Sequence, residues 1–592
     1  MRDKHTPELS RLKNLPPWAR RKYFLLKLEF GAKQFTIKDL ENFFQEKFKQ
    51  TGNEEFLIKN IGELVAVLSN AELIKEVGSD PHDSRRKIYQ LVFPEFEAKD
   101  LNEILLIISD HLRASLSVQD SEQLFLAMIF YKTMSDRWHA FVDKHKSDFN
   151  RINEREIYLS ANDQVLRLYD PENNELLTWK SVVTSDQNLL NEKLAQVFKR
   201  IAKLNSDKGL SGLKYVVDIV KRLNSWELSQ IIEILDLYDL SFYPPDEIGK
   251  FYRELLDTVS KASTKYRGEF LTVRTLRNLI PRLLNVKNDS VILDPAAGTG
   301  SLLIETALNS ESPETLRLLG LDINEWAVTM AAMNALISGI SNYAFRVGDS
   351  LLGTPVEELL KEFDTTRADY VVLDPPWSAV VSREVAAVGK NLPYLIDRDN
   401  LPSWRSADWL WVQLAAFYCK RKSVVILHPG ALSRLGADKE IRKTLLSMDI
   451  IEAIIQLPSK LIPWTGISPV VLVINKEKPE TLKRKVLMIN VTEGVDETGR
   501  GLIQLKQESI DRIVSTYKSH EEVEGFSRIV PLEELAENDY NLTPQFYVFK
   551  RESIKINTKE VISTLKELLQ KEEELSRDVL ALVEKILEAE TK

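Results

Sequence analysis

With 592 residues and a formal net charge of −9, the chain is too long for one ordinary core, so two to four domains of about 100–200 residues are expected. The charge excludes a protein that coats nucleic acid by bulk attraction, and a single cysteine, Cys419, excludes an intrachain disulfide and a cysteine-cluster metal centre and fits a reducing compartment. No apolar run approaches the roughly 20 residues that cross a bilayer, and the start lacks an apolar signal core, so a cytoplasmic protein with no membrane contact is expected.

Residues 1–93 carry 17 Lys and Arg against 13 Asp and Glu, whereas the remainder is acidic. Residues 1–95 read as a winged-helix-like domain. FTIKDLENFFQEKF places Ile37, Leu40, Phe44 and Phe48 on one helical face, with Thr36 as N-cap. FLIKNIGELVAVLSNAELI follows with a stripe of Leu57, Ile61, Leu64, Val65 and Leu68. LIKEV and KIYQLV then flank the polar tip GSDPHDSRR as a hairpin. In such a domain Arg85, Arg86 and Lys87 stand where a wing meets DNA phosphates. The same pattern also fits a protein–protein module.

Residues 96–245 are helix-rich, with SDKGLSG and YPPDEIG as connections. From 246 to 550 short apolar strands alternate with helices: VILD, RLLGLDI, AFRVGD, YVVLD, SVVILHP, IEAIIQLP and VVLVINK. This alternation predicts a doubly wound, Rossmann-like α/β domain with a largely parallel sheet. Residues 551–592 space Val561, Leu565, Leu568, Leu575, Val579, Leu582 and Ile586 by threes and fours, interrupted by Glu572. That is a coiled-coil-like helix suited to a partner, the alternative being packing on its own domain.

Ligands of doubly wound sheets sit at the carboxyl ends of strands. VILDPAAGTGSLLIET ends a strand in Asp294 and turns through Ala296, Ala297, Gly298, Thr299 and Gly300 into a helix, letting backbone approach a ligand. Leu303 stands where a dinucleotide motif needs its third glycine, and no Gly-Lys-Ser/Thr follows. A carboxylate before the loop repels a pyrophosphate but suits the cationic amino and sulfonium groups of S-adenosylmethionine. The next strands end in Asp322, an acceptor for ribose hydroxyls, and Asp349, an acceptor for the adenine amino group of that cofactor. Each aspartate alone also reads as a loop residue or helix cap. Upstream, Thr272 is placed to cap a helix and to help hold the cofactor's carboxylate.

At ADYVVLDPPWSAV a buried strand stops at Asp374-Pro375-Pro376-Trp377. An exocyclic amine on a base is a poor nucleophile because its lone pair is delocalised. Accepting its two hydrogens at the Asp374 carboxylate and the Pro375 carbonyl favours the pyramidal, nucleophilic form. Two prolines hold that carbonyl without a competing N–H, and Trp377 can stack on a base drawn out of its helix. The alternative is a rigid turn with a core indole.

DPAAGTGSLL and DPPW, preceded by GEFLTVR, resemble the motifs of the gamma group of N6-adenine DNA methyltransferases. SDHLRASL, LAMIFYKTMSD, IIQLPSKLIPWTGISPVVLVINK and EEVEGFSRIVPLEELAENDYNLTPQFYV narrow the resemblance to the modification subunit of type I restriction-modification systems, over roughly residues 103–548. The resemblance implies cofactor contacts at Glu269, Phe270, Leu271, Thr272, Val273, Arg274, Asp294 through Gly300 and Asp322, and a catalytic tetrad at Asp374 through Trp377. The usual Thr-Pro-Arg reads Thr-Val-Arg here, and the usual Asn-Pro-Pro-Phe/Tyr reads Asp-Pro-Pro-Trp. It also implies double-stranded DNA with a flipped adenine, a specificity subunit, a restriction subunit in some assemblies, and a hetero-oligomer holding two copies of this chain. Other amino substrates, namely an RNA base, cytosine N4 or a protein glutamine, remain alternatives, as does a non-catalytic DNA-binding scaffold.

Overall fold

The seven apolar runs become seven strands of one sheet. They are β1 (Val291–Asp294), β2 (Arg317–Asp322), β3 (Tyr343–Val347), β4 (Ala368–Leu373), β5 (Cys419–Leu427), β6 (Ile451–Gln456) and β7 (Val470–Asn475). Two more follow, β8 (Lys485–Asn490) and β9 (Ser527–Pro531). The computed structural model describes residues 15–30, 33–51, 57–58, 60–80, 83–92, 112, 115–148, 153–236, 238–262, 272–401, 405–462, 465–499, 502–549 and 558–590.

The strand order is β3-β2-β1-β4-β5-β7-β6-β8-β9. β3, β2, β1, β4 and β5 are mutually parallel. β7 enters antiparallel between β5 and β6, and β9 closes the far edge antiparallel to β8. The order reverses between β1 and β4, which opens a crevice above their carboxyl ends. Alternate residues serve opposite faces: Ile292, Leu318 and Val372 join one core, while Leu293, Leu319 and Leu373 join the other. Helices cover both faces, which is why β6 and β7 are buried along their whole length, β7 as an apolar run from Val470 to Ile474 and β6 with Glu452 enclosed in it.

The helical unit before the sheet runs from Val118–Asp148 through Glu154–Gln164, Leu190–Leu204, Lys214–Arg222 and Ser225–Leu235 to Pro245–Ala262. It grips the sheet domain through the helix Glu325–Ile337. Arg137 donates to the carbonyls of Leu336 and Ile337, 3.2 and 3.0 Å away, satisfying the exposed end of that helix. Ser211, Lys214 and Tyr215 donate to Glu325 at its start, at 2.9, 2.7 and 2.7 Å. Between them Gly212 donates to Thr329 Oγ1 at 3.0 Å, and Thr329 returns a bond of the same length to the Gly209 carbonyl.

Nearest the N-terminus the order is helix Pro17–Phe30, strand Gln34–Thr36, helices Ile37–Thr51 and Ile61–Asn70, and strands Ile74–Asp80 and Asp83–Leu91. The first strand pairs with the last, which pairs with the middle one. Thr36 and Asp39 cap the second helix reciprocally. Leu57 lies outside the third helix, whose N-cap is Asn60, and Ile37 is exposed. The hairpin strands reach further than LIKEV and KIYQLV, so Arg85 and Arg86 join Lys87 on a strand and do not belong to the loop. At the other end Thr558–Glu590 is one helix, and positions 562–583 are all exposed. Among the described residues no helix is long and apolar enough to cross a membrane.

A Cβ added at Gly212 lies 2.5 Å from Thr329 Oγ1 and 3.0 Å from the Glu325 carbonyl. Gly212→Ala is therefore expected to cost about 1–3 kcal/mol, read as a lower denaturant midpoint. An unchanged midpoint would contradict this close seating of the two units.

Candidate active site

Gly298 and Gly300, with φ of +51° and +70°, make the turn that follows β1. A side chain at Gly300 would meet Ala331 Cβ at 2.9 Å, so the loop lies directly on the Glu325–Ile337 helix. Three bonds pin it, two to the end of β2 and one to that helix. The Ala297 N–H donates to the Leu321 carbonyl at 2.8 Å, the Gly298 N–H donates to Asp322 Oδ2 at 2.9 Å, and Asn334 Nδ2 donates to the Thr299 carbonyl at 3.2 Å. Asp322 also accepts the Asn324 N–H at 2.8 Å, so both its oxygens are engaged by backbone with one lone pair each to spare. The aspartate expected to meet a ligand thus also holds the glycine loop against the end of β2.

Asp294 is buried, and its carboxylate accepts the Ala296 N–H at 3.0 Å. Desolvation drives its pKa well above the ordinary carboxylate range; the Ala296 N–H opposes this, and the charges of Asp374 and Asp322 add to it. Desolvation likewise raises Asp322 against the pull of its two backbone donors. Asp374, at the end of β4, keeps part of its surface open, yet burial of its carboxyl pushes the pKa up to about 6, with a Thr272 hydrogen bond pulling the other way. Three carboxylates that resist ionisation together form a site that a cation would relieve. That is the donor set expected for the cationic groups of S-adenosylmethionine. Among the described residues no group of acids and histidines has the spacing of a metal site.

Thr272 does not cap the helix Arg274–Leu284. The N-cap is Val273, with no side-chain bond, and the Thr272 hydroxyl is turned to Asp374 instead. Arg274 is exposed and stands 4.0 Å from Glu254. Glu269, Phe270 and Leu271 lie outside the described residues. Asp349 caps the short turn Ser350–Leu352 through the Leu351 N–H and accepts from Ser382 Oγ at 3.2 Å.

Past Asp374, Pro375 is buried, Pro376 exposed and Trp377 half-buried at the rim. The turn is completed by Ser378 in the left-handed region, φ +50°, whose N–H donates to Asp408 Oδ1 at 2.9 Å. Asp408 is itself buried and held by Ser406 Oγ at 2.9 Å and by Arg434. Asp408, Arg434 and Asn334 support the site but carry no local motif, because their partners come from other elements. His428, visible in the sequence as the end of SVVILHP, lies edge to face with Trp377 at 6.0 Å between ring centroids. Arg85, Arg86 and Lys87 are far along the chain and paired: both arginines lie 3.6 Å from Asp83, and Lys87 lies 2.7 Å from Glu76.

Residues 244–555 match the family model described as N-6 DNA Methylase. The chain belongs to the N-6 DNA methylase family. Within this family it is 32% identical to the type I restriction enzyme MjaVII methylase subunit of Methanocaldococcus jannaschii, over 97% of this chain and 99% of that protein. It is 24% identical to the MpnII methylase subunit of Mycoplasma pneumoniae, over 81% and 95%. Its fold resembles that of the type I methyltransferase subunit from Streptococcus thermophilus, with a TM-score of 0.65 and 23% identity over 77% of this chain and 100% of that one. The match of this N-6 methylase chain to whole relatives carries its N-terminal and helical units along with the sheet domain.

A carboxyl whose pKa is higher folded than its unfolded value of about 4 withdraws stability as pH rises through that interval. For Asp374 the interval ends at about 6. Asp374→Asn is expected to match the wild type in urea midpoint at about pH 4 and to exceed it at about pH 7. Equal midpoints at both values would contradict the enclosure of this carboxyl.

Proposed function

We propose that the chain is the methyltransferase subunit of a type I restriction-modification or related defence system, acting on N6 of adenine in double-stranded DNA. The observation that carries this reading is the Asp374-Pro375 pair at the end of β4, beside the crevice of buried carboxylates, in a chain of the N-6 DNA methylase family.

Bound S-adenosylmethionine supplies the electrophilic methyl group. Asp294 faces its cationic part, the Ala296–Gly300 turn gives backbone access, and Asp322 and Asp349 offer their spare lone pairs to its hydroxyls and amine. Thr272 through Arg274 flank the same crevice. The target adenine, out of the duplex, stacks on Trp377. Asp374 accepts one amino hydrogen and the Pro375 carbonyl the other, which concentrates the lone pair on nitrogen. With its pKa raised toward 6, Asp374 is also a better proton acceptor than an ordinary aspartate, so it can take the proton the amine must lose. An asparagine in this place has no such capacity.

The described elements between Pro17 and Leu91 follow one another in the order of a winged helix. The ion pairs of Arg85, Arg86 and Lys87, and a third helix bearing Glu63 and no Lys or Arg, favour the protein-contact alternative over a DNA-reading wing. The terminal helix exposes Leu565, Leu568, Leu575, Val579 and Leu582, with Ile562, Leu569 and Val583 beside them. That stripe is wider than a two-stranded seam and suits a helical bundle with the specificity subunit. Two such chains on one specificity subunit would account for a hetero-oligomer.

The acceptor form of Asp374 is the ionised one, present above its raised pKa and lost as pH falls through about 6. Transfer of labelled methyl groups to unmethylated DNA, at saturating cofactor, is expected to fall through that value. Asp374→Ala is expected to lose at least about 100-fold in kcat while binding S-adenosylmethionine. Asp374→Asn is expected to keep partial activity and lose the acid limb. Full activity of Asp374→Ala would refute the assignment.

A further inference from the structure

His428 takes no part in the reading above, yet it stands beside the base site. β5 pairs in parallel with β4, Val425 opposite Leu373, so His428 leaves the sheet level with Pro376 and next to Trp377. Its ring plane makes an angle of 81° with the indole. Nδ1 accepts the Gly430 N–H at 3.0 Å and so caps the short helix Pro429–Leu432. A neutral imidazole whose Nδ1 accepts carries its hydrogen on Nε2. Burial lowers the pKa of this histidine, with Asp408 opposing and Arg434 adding, which keeps the ring neutral near neutral pH. Among the described residues no group accepts from Nε2, and the ring is only half-buried.

We propose that His428 Nε2–H is a hydrogen-bond donor to the target base, reaching a ring nitrogen beside the amino group and, where that nitrogen is N7, taking part in the choice of adenine over cytosine. The proposal rests on the methyltransferase reading. Adenine has an acceptor on each side of its amino group, N1 and N7, whereas cytosine has N3 on one side and a C–H on the other. A base stacked on Trp377 lies parallel to the indole and thus nearly perpendicular to the imidazole. An N–H in the imidazole plane can then lie in the plane of the base and meet its edge, the direction a ring nitrogen requires. Holding the tautomer through Gly430 spares the donor any reorganisation when the base arrives.

Two substitutions separate this role from the cap. His428→Asn keeps an acceptor where Nδ1 stands and removes the donor at Nε2. His428→Gln places an amide N–H near the Nε2 position and gives up the cap. The full chain, assembled with its specificity subunit, would be assayed on duplexes bearing adenine, 1-deazaadenine or 7-deazaadenine at the target.

The wild type is expected to lose about tenfold in kcat/KM on one of the two deaza duplexes. That penalty should persist in His428→Gln and disappear in His428→Asn, which should itself be about tenfold slower on adenine. Equal rates of the wild type on all three duplexes, or an undiminished penalty in His428→Asn, would overturn the proposal. No methylation of the adenine duplex by the wild type would overturn the methyltransferase reading and this proposal with it.

Discussion

The structure turns on the burial of carboxylates at the ends of neighbouring strands. Asp294, Asp322 and Asp374 end three strands of one sheet, and the reversal of strand order between β1 and β4 directs two of them into the same crevice. Each is partly desolvated, and Asp294 also feels the charges of the other two. Such a cluster costs stability in the empty protein and returns it when a cation is seated between the carboxylates. Burial of its own carboxyl leaves Asp374 with a pKa between that of an ordinary aspartate and neutrality, the range in which a carboxylate can both accept a hydrogen bond and take a proton.

The rest of the fold can be understood as holding that crevice in shape. The Glu325–Ile337 helix is the main strut: its start is held by Ser211, Lys214 and Tyr215 and its end by Arg137, all from the helical unit. From its middle, Asn334 reaches the Thr299 carbonyl and Ala331 lies under Gly300. The helical unit thus acts on the glycine loop through this helix, and its Arg253 also reaches Glu305, on the helix Ser301–Leu308 that follows the loop, at 2.9 Å. On the other side Asp408, fixed by Ser406 and Arg434, holds the strained Ser378 that ends the Pro-Pro-Trp turn.

Much of this was legible in the sequence, and the remainder was hidden for physical reasons. β1 through β7 are apolar over the stretches that are buried on both faces, so their runs stand out between helices. β8 and β9 carry a charged residue at or next to their start, Lys485 and Arg528, which hides KVLMIN and SRIVP in the polar sequence around them. The antiparallel direction of β7 leaves no mark on VVLVINK, because direction is set by the chain's return path. Asp294, Asp322, Asp349 and Asp374 were legible as carboxylates at or just past the ends of strands. Thr272 was misread as a cap because its partner, Asp374, is remote in sequence. Arg85, Arg86 and Lys87 were legible as cations, but not as cations already paired, Lys87 across the hairpin with Glu76 and the arginines with Asp83 on their own strand.

The central claim is that this chain methylates adenine N6 in DNA through Asp374. The most direct test is long-read mapping of N6-methyladenine in the genome of a methylation-free host expressing the chain together with its candidate specificity partner, beside the Asp374→Ala variant. The account predicts methylation at one defined motif that disappears when either the partner or the Asp374 carboxylate is removed. Absence of N6-methyladenine in every combination, or an unchanged pattern in Asp374→Ala, would contradict it.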